Sequence, residues 1–130
     1  MSESMIIDGK KYKYRLLNQE FHCALDVTMH YIGGKWKAVV LWYLRKEKKR
    51  FSELKLLIPD ITDKMLSLQL KALEEDGIIK RTLYSEVPPR VEYEFTEEGK
   101  SLIPVVEAIA QWGKVKANTE GKLVEVEEGS

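Results

Sequence analysis

The chain of 130 residues suits one domain, and its 44% hydrophobic and 32% charged residues describe a globular protein with a core. A single cysteine excludes a disulfide scaffold, and no apolar run approaches the roughly 18 residues of a membrane span. The polar N-terminus lacks the features of a signal peptide, so we expect a cytoplasmic protein without membrane contact.

The formal net charge is zero, but the charges are unevenly distributed. Residues 1–90 hold 17 Lys and Arg against 12 Asp and Glu, whereas residues 91–130 hold 4 against 9. Such asymmetry favours a surface that faces a polyanion. Ordinary solvated surface is the alternative, since separated charges need no partner.

The first 22 residues form a polar N-terminal arm with two open interpretations. Asp8-Gly9 suits the tight turn of a β-hairpin between Met5-Ile6-Ile7 and the basic residues 10–14. An isolated hairpin is only marginally stable, so it would need something to pack on. A disordered basic arm is the alternative.

Two helices are expected after the arm. Leu25, Met29 and Ile32 lie on one helical stripe that ends at Gly33-Gly34. The second helix runs from about Lys35 to Lys46 and is apolar most of the way round. Such a helix needs cover on more than one side.

A short helix is predicted next. Ser52 is its expected N-cap, and Phe51 is placed to pack on Leu56 as a hydrophobic staple. Pro59 ends this helix, because proline disfavours helical geometry in the residue before it.

A longer helix follows from Asp63 to Asp76, after a turn of about four residues. Thr62 is its expected N-cap, Ile61 is placed to pack on Leu66, and Gly77 caps its C-terminus. A short helix, a tight turn and a longer helix have the spacing of a helix-turn-helix. The buried stripe of the longer helix is Leu66, Leu70 and Leu73.

Two strands follow, Ile78–Tyr84 and Val91–Phe95, and the second alternates so that Val91, Tyr93 and Phe95 face inward. The connection Ser85–Arg90 is too long for a two-residue turn and contains paired prolines. The order of elements predicts an α+β fold, mostly α: a winged helix-turn-helix with a two-stranded wing and a long C-terminal helix.

The last helix is expected to start at the cap Thr96 and to run to about Lys116, bent at Pro104. The winged helix-turn-helix domain therefore spans residues 23–117. An acidic tail follows over 118–130, with one short strand expected at Leu123–Val126.

The face of the longer helix opposite its leucines is polar and basic, as on a DNA-recognition helix. Such a helix presents its N-terminal turns to the major groove, while the hairpin reaches the adjacent backbone or minor groove. Lysines there neutralise phosphates or reach guanine, a serine donates to phosphate or base, and a leucine meets a thymine methyl. An ordinary solvated helix face is the alternative. The predicted DNA-contacting residues are Asp63, Lys64, Ser67, Leu68 and Lys71 on the helix and Lys80, Arg81 and Arg90 on the wing, with Arg90 facing the minor groove.

Seven motifs occur in order along the chain: I-G-G-K-W at 32–36, F-S-E-L at 51–54, K-M-L-S at 64–67, L-E-E-D-G-I at 73–78, V-P-P-R-V-E-Y at 87–93, T-E-E-G at 96–99 and L-I-P-V at 102–105. Through them Cys23–Gly113 resembles the HxlR-type regulators, distant relatives of the MarR regulators. The resemblance implies a transcriptional regulator that binds double-stranded DNA at pseudopalindromic operators. One departure is Leu68, since relatives are often polar at this position, as they are at the next one, here Gln69. Leu68 either reads a methyl group or packs on the wing.

The resemblance also implies a homodimer whose core is formed by the first and last helices. The excess of apolar surface over the needs of one small core agrees with this, although a single well-packed core is the alternative. A small apolar effector would fit the dimer cleft. The expected interface residues are Trp36, Trp42, Val106, Ile109 and Trp112.

Cys23 stands just before the first helix, where many HxlR-type proteins carry a cysteine followed by proline. Some relatives use it to sense oxidants or electrophiles, and the positive end of a helix favours the thiolate. Here Ala24 replaces the proline, which leaves the local backbone open. One cysteine limits the oxidised states to an intersubunit disulfide, a mixed disulfide or a sulfenic acid. A small buried hydrophobic residue is the alternative.

No cofactor, metal site or enzymatic activity is expected. Cys23, His22 and His30 do not converge on a tetrahedral metal site, since His30 lies two helical turns beyond the other two. A thiol enzyme using Cys23 with either histidine is the only candidate for catalysis. The main alternative function is a winged-helix protein–protein interaction adaptor without DNA binding.

Overall fold

The computed structural model describes residues 6–126 of the chain. Met5 of the predicted hairpin and residues 127–130 of the predicted tail lie outside this range. Residues 6–126 form five α-helices and three small antiparallel sheets, which confirms the predicted α+β, mostly α, winged helix-turn-helix class.

The N-terminal arm forms two consecutive hairpins. Strand β1 (Ile6–Ile7) pairs with β2 (Lys10–Lys11) around Asp8-Gly9, whose φ angles are +53° and +76°. This is the hairpin that Asp8-Gly9 favoured, and both positive φ angles are those of a type I′ turn. Strands β3 (Tyr14–Leu16) and β4 (Gln19–Phe21) form a second hairpin that was not predicted.

The first three helices are α1 (Ala24–Ile32), α2 (Lys37–Leu44) and α3 (Phe51–Leu57). A two-residue strand, β5 (Lys49–Arg50), leads directly into α3. The second half of the domain consists of α4 (Asp63–Glu75), β6 (Ile79–Tyr84), β7 (Arg90–Phe95), a 3-10 turn (Gly99–Leu102) and α5 (Ile103–Glu120).

Helix α2 lies at the centre of the domain. It contacts α1, α3, α4, α5 and β7, which accounts for its apolar residues on nearly every side. Val40, Leu41 and Leu44 are at most 2% exposed. The prediction that this helix needs cover on more than one side is confirmed. The core continues through Leu54, Leu66, Leu70, Leu73, Ile79, Phe95 and Val106.

The wing belongs to a three-stranded sheet with the order β5-β7-β6, rather than to a hairpin alone. Strand β5 pairs with β7 through Lys49 opposite Tyr93 and Arg50 opposite Glu92. This short strand fastens the wing to the connection between α2 and α3. A two-residue strand gives too little alternation to be seen in the sequence.

The start of α3 differs from the prediction. Its N-cap is Arg50 rather than Ser52, because β5 runs straight into the helix and Phe51 is already helical. The Glu53 carboxylate accepts a hydrogen bond of 2.7 Å from the Arg50 backbone N–H, which satisfies a free donor of the first turn. Leu56 is 83% exposed, so the predicted staple of Phe51 onto Leu56 is wrong.

The last helix also differs from its prediction in three respects. Thr96 accepts from the Gly99 N–H at 2.9 Å and so caps the 3-10 turn, and α5 begins only at Ile103. Pro104 therefore lies in the first turn of α5, where its missing N–H is not needed, rather than inside the helix as predicted. Helix α5 extends to Glu120, and no strand forms at Leu123–Val126 in the described part of the tail.

Candidate nucleic-acid interface

Helix α4 is fixed at its N-terminus by two side chains. Thr62 Oγ1 accepts a hydrogen bond of 3.0 Å from the Met65 N–H, which confirms the predicted cap. Lys55 of α3 donates to the Ile61 carbonyl and lies 3.4 Å from the Asp63 carboxylate. Lys55 thus ties the two helices of the motif together across the turn.

The role of Lys55 was not predicted, because a contact across a turn has no periodic signal. The same contact changes the interpretation of Asp63, which was predicted on the DNA surface. Its carboxylate stands at the positive end of α4 and is paired with Lys55, which reduces its repulsion of a phosphate. Because the Asp63 side chain is 77% exposed, this pair adds little to stability, and Asp63 stays on the solvent-facing side of the helix.

The C-terminus of α4 is closed by a backbone motif. Gly77 has φ +76°, its N–H donates to the Glu74 carbonyl, and the Ile78 N–H donates to the Leu73 carbonyl, each at 3.0 Å. This is a Schellman motif, so the predicted cap at Gly77 is confirmed. Helix α4 is thus capped at both ends and packed against the domain through its buried leucine stripe.

The face of α4 opposite the leucines is open to solvent. Lys64, Ser67 and Lys71 are exposed, and Leu68 keeps half of its surface exposed. Neither lysine forms an ion pair with any residue in the range 6–126. The arrangement leaves two ammonium groups, a hydroxyl and an apolar tip on one side of the helix.

The wing differs from the expectation of three free cations. Lys80 and Arg81 are exposed, but they stand near the root of the hairpin, where Lys80 lies opposite Glu94 and Arg81 opposite Tyr93. At about 3.3 Å per residue, Lys80 is roughly 13 Å from the loop end of β6. Arg90 lies at the loop but is only 28% exposed.

Arg90 is enclosed by four side chains. We call these four and Arg90 the wing cluster, which consists of Lys48, Tyr84, Glu86, Arg90 and Glu92. Its guanidinium lies over the Tyr84 ring, 4.2 Å from the centroid. Glu86 Oε2 is 3.1 Å from Nη2, and Glu92 Oε2 is 3.2 Å from Nε but out of line for a hydrogen bond. Arg90 is therefore not a free cation in this conformation.

Glu92 is the least exposed carboxylate of the wing cluster, with 12% of its side chain accessible. Its partial burial raises the pKa, but the close contact with the Lys48 ammonium and the charge of Arg90 outweigh this and hold the pKa below its usual value. The same contact, at 3.1 Å, raises the pKa of Lys48. Glu92 is thus ionised at neutral pH and links the wing to the segment before β5.

Helices α1 and α5 each carry large apolar side chains without cover in the single chain. Leu25 and Met29 of α1 are 69% and 48% exposed, although they share a stripe with the buried Ile32. On α5, Ile109 and Trp112 are 49% and 69% exposed. We call the exposed residues of α5, namely Val105, Ile109, Trp112 and Val115, the apolar face.

The other predicted interface residues lie elsewhere. Val106 is 3% exposed and belongs to the core of the chain itself, so it is not available to a partner. Trp36 and Trp42 pack partly against that core, and the Arg45 guanidinium lies 3.4 Å from the Trp42 ring centroid. Of the five predicted residues, Ile109 and Trp112 are the ones that present a broad apolar surface.

Cys23 is the N-cap of α1, as expected, and its side chain is half-buried and makes no capping hydrogen bond. The first turn is closed instead by Asp26, whose carboxylate accepts from the His22 N–H at 3.0 Å. His30 packs its ring on Phe21 and Tyr31, with Nε2 3.7 Å from the Asp76 carboxylate. His30 thus joins α1 to the end of α4.

No helix within the described residues combines the length and the apolarity that a membrane span requires.

Comparison with known proteins places these features in a family. Residues 31–121 match the HxlR-like helix-turn-helix family. An uncharacterized HTH-type transcriptional regulator of Methanothermobacter thermautotrophicus is 50% identical over 98 residues, 75% of each chain. The uncharacterized HTH-type transcriptional regulator YkvN of Bacillus subtilis is 48% identical over 102 residues, 78% of this chain and 86% of YkvN.

Among solved structures, the redox regulator HypR in its oxidized form is similar with a TM-score of 0.70 and 45% identity. The match covers 72% of this chain and 96% of HypR. The family match contains α4, the wing and α5, whereas the two N-terminal hairpins lie outside it. The chain belongs to the HxlR-like helix-turn-helix family and is a transcriptional regulator of the helix-turn-helix type.

Proposed function

We propose that this regulator binds pseudopalindromic operator DNA as a homodimer, with α4 in the major groove. The observation that carries the proposal is the exposed face of α4, where Lys64, Ser67 and Lys71 stand together on a helix capped at both ends. Two ammonium groups, unpaired within residues 6–126, supply phosphate or guanine contacts, and the hydroxyl supplies a donor. Leu68 is placed to meet a thymine methyl group.

The wing has a supporting part in this proposal. Lys80 and Arg81 are exposed near its root and would contact the DNA backbone beside the major groove. Asp63 lies at the start of α4, where its pairing with Lys55 would reduce its repulsion of a phosphate. The functional unit is the domain at residues 23–117. The N-terminal arm and the acidic tail flank this domain and lie outside the functional unit.

A homodimer is supported by the apolar face and by the exposed apolar residues of α1. A monomer would leave Leu25, Met29, Ile109 and Trp112 in water at a cost of about 25 cal/mol for each Å² of apolar surface. Residues 105, 109 and 112 follow the i, i+4, i+7 spacing of one helical stripe, so α5 presents them together. A second copy would cover them through the same face, as a two-fold axis requires.

A thiol response through Cys23 is supported by the position of the sulfur and by the similarity to a redox regulator. The half-buried thiol stands at the positive end of α1. Its oxidation or alkylation by an electrophile would disturb α1, and the contact between His30 and Asp76 connects α1 to α4. A shift of α1 would then change the separation of the two recognition helices in the dimer.

An apolar effector is supported by a groove of about 300 Å³ between α2 and α5. Because its wall includes Ile109, bound effector would contact the apolar face and thereby the dimer partner. The groove is lined by Ala38, Val39, Trp42, Tyr43, Val106, Ile109 and Ala110.

A mobility-shift assay on the DNA upstream of the protein's own gene, with and without diamide, tests DNA binding and the thiol response together. We expect specific binding that weakens about tenfold or more after diamide, and Cys23→Ser should bind DNA as the wild type does without this loss. An equal diamide effect in Cys23→Ser would remove the thiol proposal. No shift of any DNA at low salt would favour the protein–protein adaptor instead.

A further inference from the structure

Within the wing cluster, the two edges of the Arg90 guanidinium have different partners. Glu86 takes the outer edge: its Oε1 accepts from Nη1 at 3.5 Å and its Oε2 lies 3.1 Å from Nη2. Of these two contacts only the one from Nη1 is aligned as a hydrogen bond, but both lie on the edge with which arginine binds a carboxylate or a phosphate. The inner nitrogen, Nε, faces Glu92 and has no aligned hydrogen-bond partner among the described residues.

The two carboxylates differ in how firmly they are held. Glu92 is on the central strand β7, is 12% exposed and is paired with Lys48 as well as Arg90. Glu86 is in the loop and is 49% exposed, and an exposed ion pair of this kind contributes little to stability. Glu92 is therefore a fixed part of the wing, whereas Glu86 is replaceable.

The loop sequence offers no other cation. In Ser85-Glu86-Val87-Pro88-Pro89-Arg90, the only positive charge is Arg90, and Val87 at the tip is fully exposed. A wing that meets DNA with this loop must therefore use Arg90 if it is to neutralise a phosphate. In the free protein that group is already bound to Glu86.

We propose that Glu86 is an internal substitute for a DNA phosphate, which occupies the outer edge of Arg90 until an operator phosphate displaces it. Glu92 and Tyr84 keep the guanidinium in place during the exchange, so Glu92 is a positioning residue and Glu86 an autoinhibitory one. On displacement, the Glu86 carboxylate turns into solvent and the two nitrogens, Nη1 and Nη2, donate to two phosphate oxygens. The inference rests on the proposed DNA binding by this wing.

The proposal predicts opposite effects for the two carboxylates. Glu86→Gln removes the competitor and should tighten binding to a fixed operator duplex about 3- to 10-fold, whereas Glu92→Gln should weaken it by a similar factor. Glu98→Gln is the matched control, because it changes the net charge equally at an exposed site after β7. Binding is measured by fluorescence anisotropy at one salt concentration, with thermal unfolding of each variant to verify folding.

A double-mutant cycle with Arg90→Lys makes the test specific. Lysine keeps the charge but loses the two-pronged edge, so Glu86→Gln should change affinity by less than about twofold in the Arg90→Lys background. The proposal is overturned if Glu86→Gln behaves like Glu98→Gln, or if its gain persists undiminished in the Arg90→Lys background. If the wild type binds no DNA, the proposed function itself fails. If the wild type binds DNA and Lys64→Ala weakens that binding, but Glu86→Gln gives one of these two contrary results, only this inference has failed.

Discussion

Replacing Lys64 or Lys71 by alanine is expected to weaken operator binding about tenfold each and to leave the fold unchanged. Both side chains are exposed and unpaired within the described residues, so their removal costs little in folding stability. A lysine that neutralises a phosphate releases a counterion from the DNA. Replacing such a lysine should therefore make the negative slope of log affinity against log salt less steep by about 0.9. A lysine that contacts guanine should instead lose discrimination at one base pair, worth about 1–3 kcal/mol.

The measurement is a salt titration of binding by fluorescence anisotropy for the wild type and both variants. Lys122→Ala is the matched control, since it removes another exposed lysine, from the segment after α5. Lys122→Ala should retain nearly all of the affinity. If all three variants bind alike, the exposed face of α4 does not contact DNA and the assignment of the recognition helix is wrong.

The second large effect is expected at the apolar face, where Trp112→Glu should convert the dimer to a monomer. Trp112 is 69% exposed in the single chain, so its replacement does not disturb the core. A carboxylate buried between two copies would have no partner, which raises the dimer dissociation constant roughly 100-fold or more, equivalent to about 3 kcal/mol. Operator affinity should fall with it, because each monomer then holds only one half-site.

Sedimentation equilibrium gives the decisive measurement. The wild type should have about twice the 15.1 kDa of one chain, and Trp112→Glu the mass of one chain. Val124→Glu is a close control, because Val124 is also 69% exposed but lies in the segment after α5. A Trp112→Glu variant that remains dimeric with an unchanged circular dichroism spectrum would show that the dimer uses another surface.

The parts of the fold that follow local rules were predictable from the sequence. Helix α4 is the clearest case: Thr62 caps it, a leucine stripe buries it, and Gly77 ends it with a positive φ. Each of these features depends on residues only a few positions apart. The position and the buried side of α4 could therefore be predicted before its surroundings were known.

Features that depend on pairing between distant segments were not predictable. The wing cluster forms because β5 and β6 both pair with β7, which brings Lys48 beside Glu92 and Arg90 beside Tyr84. No spacing in the sequence indicates that register, so the sequence alone predicts a free cation at Arg90. The second hairpin was not predicted for a different reason. Its turn, Leu17-Asn18, places a leucine at φ +55°, where bulky side chains are disfavoured.

The spacing of apolar residues also does not indicate whether an apolar stripe is covered by the chain itself or by another molecule. Leu25, Met29 and Ile32 share one side of α1, yet only Ile32 is buried within the chain. The same pattern describes a core stripe and an interface stripe, because both exclude water. Val106 and Ile109 illustrate this on α5, where the first belongs to the core and the second remains half exposed.

The most direct test of operator recognition is selection of DNA from a random pool by the wild-type protein, followed by hydroxyl-radical footprinting of the selected duplex. A homodimer with α4 in the major groove predicts an inverted repeat with two protected blocks whose centres are one helical turn, about 34–36 Å, or a multiple of it apart. Failure to enrich any sequence and to protect any DNA at low salt would contradict the proposal that this chain reads an operator.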